Sequence, residues 1–201
     1  MSTALTTLVD VKLFLGITDT SQDAFLNAMI TRMSGFIERQ CNRVFGIADY
    51  TEYYDADEAN GGVLNLKQGP LVSISHLYND VTRAFGADTE IDAADFVFYS
   101  PEAMVQLLED QCFDVGFQAI KILYRAGYTT IPDDLAQGCI DLIAFKFYQR
   151  AAGGGTISSK TLADASFTYV VDKGGSEGKI SVPSGTLAVI QSYGYKRVYV
   201  I

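Results

Sequence analysis

The chain has 201 residues, a length typical of one domain or of one domain with an appendage. Its net charge of −9 is unevenly spread, because residues 51–130 hold thirteen of the 24 acidic residues but only four of the 15 basic ones. Non-specific nucleic-acid binding relies on Lys and Arg side chains that neutralise phosphates, so this balance argues against a protein that grips DNA. Hydrophobic residues make up 48% of the chain, which argues against intrinsic disorder.

No apolar run approaches the roughly 20 residues that a membrane-spanning helix needs. The opening residues, MSTALTTLVDVK, lack the basic and apolar regions of a signal peptide, so we expect a soluble intracellular product. The cysteines Cys41, Cys112 and Cys139 are odd in number and include no CxxC pair, which argues against a disulfide framework or a zinc ribbon. Cys41 and Cys139 lie in helical patterns and are expected to be buried free thiols.

Two helices are predicted at the start of the chain. The first covers residues 6–15, with Thr6 or Thr7 as its N-cap and Gly16 as its end. The second covers residues 21–43 and carries apolar residues at three- and four-residue spacing. This stripe consists of Phe25, Leu26, Met29, Ile30, Met33, Phe36, Ile37, and Gln40 or Cys41.

The middle of the chain, residues 50–128, changes to the two-residue period of β-strands. Short strands are predicted at 50–54, 63–66, 69–80 and 119–128, with two more in 96–108 that are broken at Ser100-Pro101. Polar turn residues lie at 55–62 and an acidic loop at 86–95. We therefore expect a small, mainly antiparallel sheet.

A third helix is predicted at 133–152, because Pro132 suits a first helical turn and Asp133 and Asp134 complement it. The predicted architecture is an α+β fold in which two or three helices pack with the sheet. Residues 1–152 would form the core domain, and residues 153–201 a Gly-rich connection and a C-terminal tail. The tail is predicted to hold strands at 166–171 and 179–182, a short helix at 183–193 and a final strand.

Catalytic, cofactor and metal sites are not predicted. The loop that contains Asp55, Asp57 and Glu58 fails the calcium-binding EF-hand pattern at three positions. His76 is the single histidine and lies in a strand pattern near Asp80, with no feature that predicts the geometry of a catalytic triad. Phosphate-binding glycine motifs and a GxSxG nucleophile motif are absent from the sequence.

The end of the chain is rich in tyrosine beside two basic residues. Tyrosine and arginine are enriched at protein interfaces, because each combines apolar area with a polar end. The equally supported alternative is a last strand that packs on the chain's own sheet. The candidate interface residues are Tyr193, Tyr195, Lys196, Arg197 and Tyr199.

Several segments together resemble a known family, the head–tail connector proteins of tailed bacteriophages, also called adaptor or head-completion proteins. The most specific is Tyr124-Arg125-Ala126-Gly127-Tyr128 followed by Ile131-Pro132-Asp133-Asp134-Leu135. It is similar to the family's strand that ends in Y-x-A-G-Y before a helix opened by P-x-D-L. The stretch Pro70-Leu71-Val72-Ser73-Ile74 and the helix end at Glu38 and Cys41-Asn42-Arg43 are weaker matches. The resemblance covers about residues 5–150.

The resemblance implies a homo-oligomeric ring, typically of twelve subunits, docked beneath the portal protein in the virion neck after assembly in the host cytoplasm. Such a ring extends the DNA channel and presents a platform for a stopper or tail-completion protein. DNA would pass without specific binding, since acidic residues on the channel side would repel it. The candidate channel-facing residues are Asp88, Glu90, Asp92 and Asp95.

Two other classes of function remain as alternatives. The chain could be a soluble, non-catalytic module that binds a small ligand or a peptide on its sheet. It could also be an enzyme whose acidic residues, such as Asp55, Asp57 and Asp95, surround a metal ion. Dependence of stability on a metal would favour the enzyme, and a monomer that ignores portal protein would favour the binding module.

Overall fold

The structure, a computed structural model, describes residues 3–56, 59–109, 111–151, 159–162, 165–168 and 182–194. Its elements form two compact units. One contains the helices and is drawn from the residues up to Asn42 and from Ile131–Gly194, and the other contains the main sheets and spans Arg43–Thr130. The predicted α+β fold is confirmed.

The helical unit contains four helices: α1 (Leu8–Leu15), α2 (Asp23–Cys41), α3 (Asp133–Ala151) and α4 (Ser184–Tyr193). The predicted ends of α1 are confirmed, since the Thr7 side chain accepts a hydrogen bond from the Asp10 amide and Gly16 adopts a φ of 68°. The short helix predicted at 183–193 is α4, which packs against α2 and α3.

The buried face of α2 differs from the predicted stripe. Leu26, Met29, Ile30, Ile37 and Cys41 are buried as expected, whereas Met33 and Phe36 are half-buried and Gln40 is exposed. In their place, the polar residues Ser34 and Glu38 are buried. The reason is the segment before α1, whose Leu5 amide donates to Ser34 Oγ (3.0 Å) and whose Thr3 amide donates to Glu38 Oε1 (3.3 Å).

Close packing joins α3 to α4. A Cβ atom on Gly138 would lie 3.3 Å from a methyl group of Val189, so the absence of a side chain lets the two helices approach. The buried Thr186 hydroxyl donates to the Gly138 carbonyl (2.8 Å). The predicted burial of Cys41 and Cys139 is confirmed, and burial raises the pKa of Cys139 to about 11, so this thiol is unreactive at neutral pH.

The other unit contains two antiparallel sheets where the sequence predicts one. The first has the order β1-β7-β4 and consists of β1 (Ala48–Tyr54), β7 (Ile120–Ala126) and β4 (Leu71–Asn79). The second has the order β2-β3-β6-β5 and consists of β2 (Ala59–Asn60), β3 (Val63–Asn65), β6 (Met104–Leu107) and β5 (Phe96–Tyr99). The predicted break between β5 and β6 is confirmed.

The core of this unit lies between residues of both sheets. Its largest fully buried side chains are Leu64, Leu66, Leu77, Ile120, Ile122 and Tyr124. The Tyr124 ring stacks on Tyr50 with their centroids 5.4 Å apart, and the Tyr54 hydroxyl donates to Glu52. Burial, reinforced by the Glu52 carboxylate, raises the pKa of Tyr54 and of Tyr124 well above the usual range, so both phenols stay protonated.

Gly127, the glycine of the Y-x-A-G-Y motif, adopts a φ of +121° directly after β7. A Cβ atom there would lie 2.4 Å from the carbonyl oxygen of Gly46. Its amide donates to the Pro70 carbonyl (2.9 Å), and the next amide, of Tyr128, donates to the Phe45 carbonyl (2.7 Å). The motif therefore joins three chain segments at one point, which explains why it requires glycine.

Beyond α3, β8 (Ser159–Leu162) and β9 (Ala165–Thr168) pair with each other in antiparallel fashion. The first half of the predicted strand at 166–171 lies in β9, and its second half, residues 169–171, lies outside the described residues. Residues 179–181 of the strand predicted at 179–182 and all of the final strand also lie outside them. So does the boundary proposed at residues 152 and 153, and these predictions stay predictions.

Candidate interaction surfaces

The acidic loop predicted at 86–95 begins with a short 3-10 turn, Ala87–Thr89. Asp88, Glu90 and Asp92 are exposed, whereas Asp95 is half-buried. The loop has a defined conformation, since Asp92 Oδ1 accepts from the Ala94 amide (2.9 Å) and the Asp95 carbonyl accepts from the Leu108 amide (2.8 Å). It therefore presents three carboxylates to solvent.

His76 lies on β4 and pairs with this loop. Its Nδ1 atom is 2.6 Å from Glu90 Oε1, and the Ile91 amide donates to the Leu77 carbonyl (2.8 Å). Asp80 has other partners: it accepts from the Thr82 amide and hydroxyl and from the Phe85 amide. His76 and Asp80 therefore do not form the dyad that a triad requires.

Beside His76, an aromatic patch covers the outer face of the three-stranded sheet. It is defined by Tyr53, Tyr78 and Phe85, and the Phe85 ring contacts the other two. Lys121 lies against two of these rings. The Lys121 Nζ atom lies 5.3 Å from the Tyr78 ring centroid and 5.2 Å from that of Phe85. These cation–π contacts position the lysine side chain over the patch.

Apolar side chains are also exposed at strand β5. Val97, Phe98 and Tyr99 are 38%, 40% and 43% exposed, and β5 is an outer strand of its sheet. The sequence predicts a strand here from its run of apolar residues and does not show that the strand lies at the edge of a sheet.

In the helical unit, α1 and α3 border a groove of about 400 Å³. Its apolar lining includes Leu13, Phe14 and Ile140, with Asp10 and Asp133 at its rim. Leu13 is 81% exposed. This is the place in the helical unit where the alternative ligand- or peptide-binding function would find space.

Of the five candidate interface residues at the end of the chain, the structure describes Tyr193. Its hydroxyl donates to Asp134 Oδ1 of α3 (2.7 Å). Tyr195, Lys196, Arg197 and Tyr199 lie outside the described residues.

The acids considered for a metal site do not form one in the part of the chain that the structure describes, where no three His, Cys, Asp or Glu side chains are placed to hold an ion. Asp55 accepts a hydrogen bond from the Gln118 amide (2.8 Å), and Asp57 is outside the described residues. Among the described helices, none is both long and apolar enough to span a membrane.

Three solved structures share this fold. A chain in the neck of an empty gene transfer agent (GTA) particle, computed with C6 symmetry, is 16% identical over 99% of this chain and 95% of its own, with a TM-score of 0.58. A chain in the neck of a native GTA particle, computed with C12 symmetry, is 18% identical over 96% and 90%, with a TM-score of 0.54. A chain in the virion of a native GTA particle is 17% identical over 99% and 94%, with a TM-score of 0.59.

At these identities the likeness establishes the fold. No curated protein shows significant similarity to the chain. The family model of the head completion proteins matches residues 4–172, which include the main sheets and the helices α1 to α3 but not α4. The resemblance expected from the sequence is thus confirmed, and the chain belongs to the head completion protein family.

Proposed function

We propose that this protein is a structural virion component that forms a ring, typically of twelve subunits, beneath the portal. The ring extends the DNA channel and joins the head to a stopper or tail-completion protein. The observation that carries the proposal is the family match over residues 4–172. The fold likeness to chains in GTA necks computed with C6 and C12 symmetry supports a cyclic assembly.

The acidic loop supports a channel role for the sheet unit. Asp88, Glu90 and Asp92 present carboxylates to solvent, and the unit's Lys121 is engaged by aromatic rings. A channel lined with negative charge repels phosphates, so DNA slides through without being held. Membership of the head completion protein family supports a structural rather than a catalytic part.

The proposal is tested with particles assembled without this protein. Filled heads lacking it should fail to join tails, and adding the purified protein should restore joined particles counted by electron microscopy. If heads join tails equally well without it, the connector function is wrong. Heat-denatured protein serves as the negative control for the addition.

The channel role has a separate test. A double variant, Asp88→Asn with Asp92→Asn, should assemble normally but slow DNA ejection, because less repulsion acts on the passing phosphates. The matched control, Asp114→Asn, removes an exposed carboxylate from another loop of the same unit. Equal ejection rates for the wild type, the double variant and the control variant would mean that the acidic loop lies away from the channel.

A further inference from the structure

Strand β5 ends the four-stranded sheet at an open edge. Its sheet order is β2-β3-β6-β5, so β5 pairs with β6 on one side only. The residue after it, Ser100, is held by β4, since its carbonyl accepts from the Leu71 amide (2.9 Å) and its hydroxyl donates to the Leu71 carbonyl (2.6 Å). The open part of the edge is therefore at Phe96 and Phe98. Open edges with apolar side chains are templates for pairing with another chain, and proteins usually protect them with charge, proline or a covering segment. Val97, Phe98 and Tyr99 are all more than a third exposed, and none of these protections occurs within the strand.

The hydrogen-bond pattern shows which backbone groups face this edge. The Leu108 amide donates to the Asp95 carbonyl, and the register pairs Val97 with Gln106. Bonded and non-bonded pairs alternate along an antiparallel ladder, so Val97 and Tyr99 bond to β6 while Phe96 and Phe98 direct their N–H and C=O groups outward. No backbone bond joins Phe96 or Phe98 to another strand among the residues that the structure describes.

The charged residues next to the edge in the sequence are all acidic. Residues 86–102, which contain β5, hold five acidic residues and no Lys or Arg. The last seven residues of the chain, 195–201, hold Lys196 and Arg197 and no acidic residue. The other five residues of that segment are Tyr, Val and Ile, the residue types that favour strands.

We propose that residues 195–201 of one subunit add as a strand to the open edge of β5 in the neighbouring subunit. The backbone groups of Phe96 and Phe98 form the new ladder, and the acidic residues around β5 attract Lys196 and Arg197. This inference rests on the proposed ring. A closed ring needs two different, complementary surfaces on each subunit, and the edge and the tail are such a pair.

The tail has enough residues to pair with all of β5. Seven extended residues reach at most about 25 Å, whereas pairing with the four residues of β5 needs about 14 Å. About three residues remain to connect this strand to α4, whose last residue is Tyr193.

Two substitutions at Phe98 separate backbone pairing from side-chain packing. Phe98→Pro removes the outward N–H without removing a bond to β6, and proline is tolerated at edges in this orientation. Phe98→Ala keeps the N–H and removes the ring. Rings formed with portal, counted by electron microscopy, should fall at least tenfold for Phe98→Pro and for deletion of 195–201, and much less for Phe98→Ala. Circular dichroism establishes that each variant is folded.

Disulfide trapping identifies the occupant of the edge, in a Cys112→Ser background because Cys112 is exposed. A chain with Phe98→Cys is mixed with a differently tagged chain that carries Val198→Cys or, for the other register, Tyr199→Cys. Oxidised rings should contain disulfide-linked pairs of the two tagged chains.

Three results would overturn the inference. If rings form from wild-type protein while no pair is trapped and Phe98→Pro assembles normally, the connector function stands and the edge pairing is wrong. If a chain carrying both cysteines closes only an internal disulfide, the tail lies on its own edge. If wild-type protein forms no ring at all with portal, the proposed function fails and this contact fails with it.

Discussion

The Tyr193 hydroxyl, at the last residue of α4, donates a hydrogen bond to Asp134 Oδ1 in the first turn of α3, with 2.7 Å between the oxygens. The contact ties the end of one helix to the start of another, 59 residues earlier in the chain. It also gives a stabilising role to a residue that the sequence suggests for contact with a partner. The two roles make different predictions.

Replacing Tyr193 with Phe removes only this hydroxyl. Because the pair is partly exposed, we expect the free energy of unfolding to fall by about 0.5–1 kcal/mol. Urea titration of the purified protein measures the change, and ring formation with portal should be unaffected. Unchanged stability together with lost assembly would mean that the hydroxyl acts at a partner and that the contact with Asp134 is dispensable.

The buried Thr186 side chain contributes a hydrogen bond to the packing of α4 on α3. Thr186→Val keeps the shape of the side chain but loses the hydrogen bond to the Gly138 carbonyl, so we expect a loss of about 1 kcal/mol in the free energy of unfolding. Thr186→Ser keeps the hydroxyl and is the matched control for the bond. If the valine variant is as stable as wild type, the bond contributes nothing to the packing of α4.

Gly127→Ala should strongly destabilise the sheet unit. Its Cβ atom would overlap the Gly46 carbonyl, a backbone group that has no rotamer with which to move away. Gly16→Ala is the control, because Gly16 also has a positive φ but has no atom within 4 Å of the added Cβ. The control should cost about 1 kcal/mol, from the backbone conformation alone, and Gly127→Ala should cost several times more in thermal unfolding. Equal losses for the two variants would contradict the close approach at Gly127.

The Asp80 carboxylate fixes the loop that places Phe85 in the aromatic patch. Hydrogen bonds to this carboxylate hold its pKa below the usual value. The largest effect comes from the Thr82 hydroxyl and the next from the Phe85 amide. Because the pKa of Asp80 is lower in the folded than in the unfolded protein, the ionised carboxylate stabilises the loop fully above the unfolded-state pKa of about 3.9. This stabilisation is lost as the pH falls through the folded-state pKa.

Hydrogen exchange of the Phe85 amide, compared with a core amide, should therefore accelerate selectively below about pH 4. The Asp80→Asn variant should show the faster exchange already at neutral pH and no such acid dependence. Acid-dependent exchange that persists in this variant would assign the effect to another carboxyl group.

Local patterns in the sequence predict most elements of this fold, because helix ends and strand turns depend on nearby residues. Thr7 and Gly16 identify the ends of α1 by their own chemistry, and Ser100-Pro101 separates β5 from β6. The long-range pairing is different. That β7 lies between β1 and β4 depends on pairs of residues that are 41 to 78 positions apart in the chain, and the division into two sheets has no local signature.

The same limit applies to the surfaces. Ser34 and Glu38 have the polar character of an outer helix face, and only the placement of Leu5 and Thr3 against them explains their burial. The acidic loop was predictable from its composition, whereas its tie to His76 and the open apolar edge of β5 required the sheet order. The family was predictable because its motif surrounds a glycine that backbone geometry requires.

The central claim, a ring on the portal, is tested most directly by measuring mass by light scattering for the purified protein, alone and mixed with portal rings, and imaging the mixture. We predict one defined complex that contains the portal and an added ring of this protein beneath it, from which the subunit number is counted. A chain that stays monomeric beside unaltered portal rings would contradict the claim and would direct attention to the groove between α1 and α3 as a ligand site.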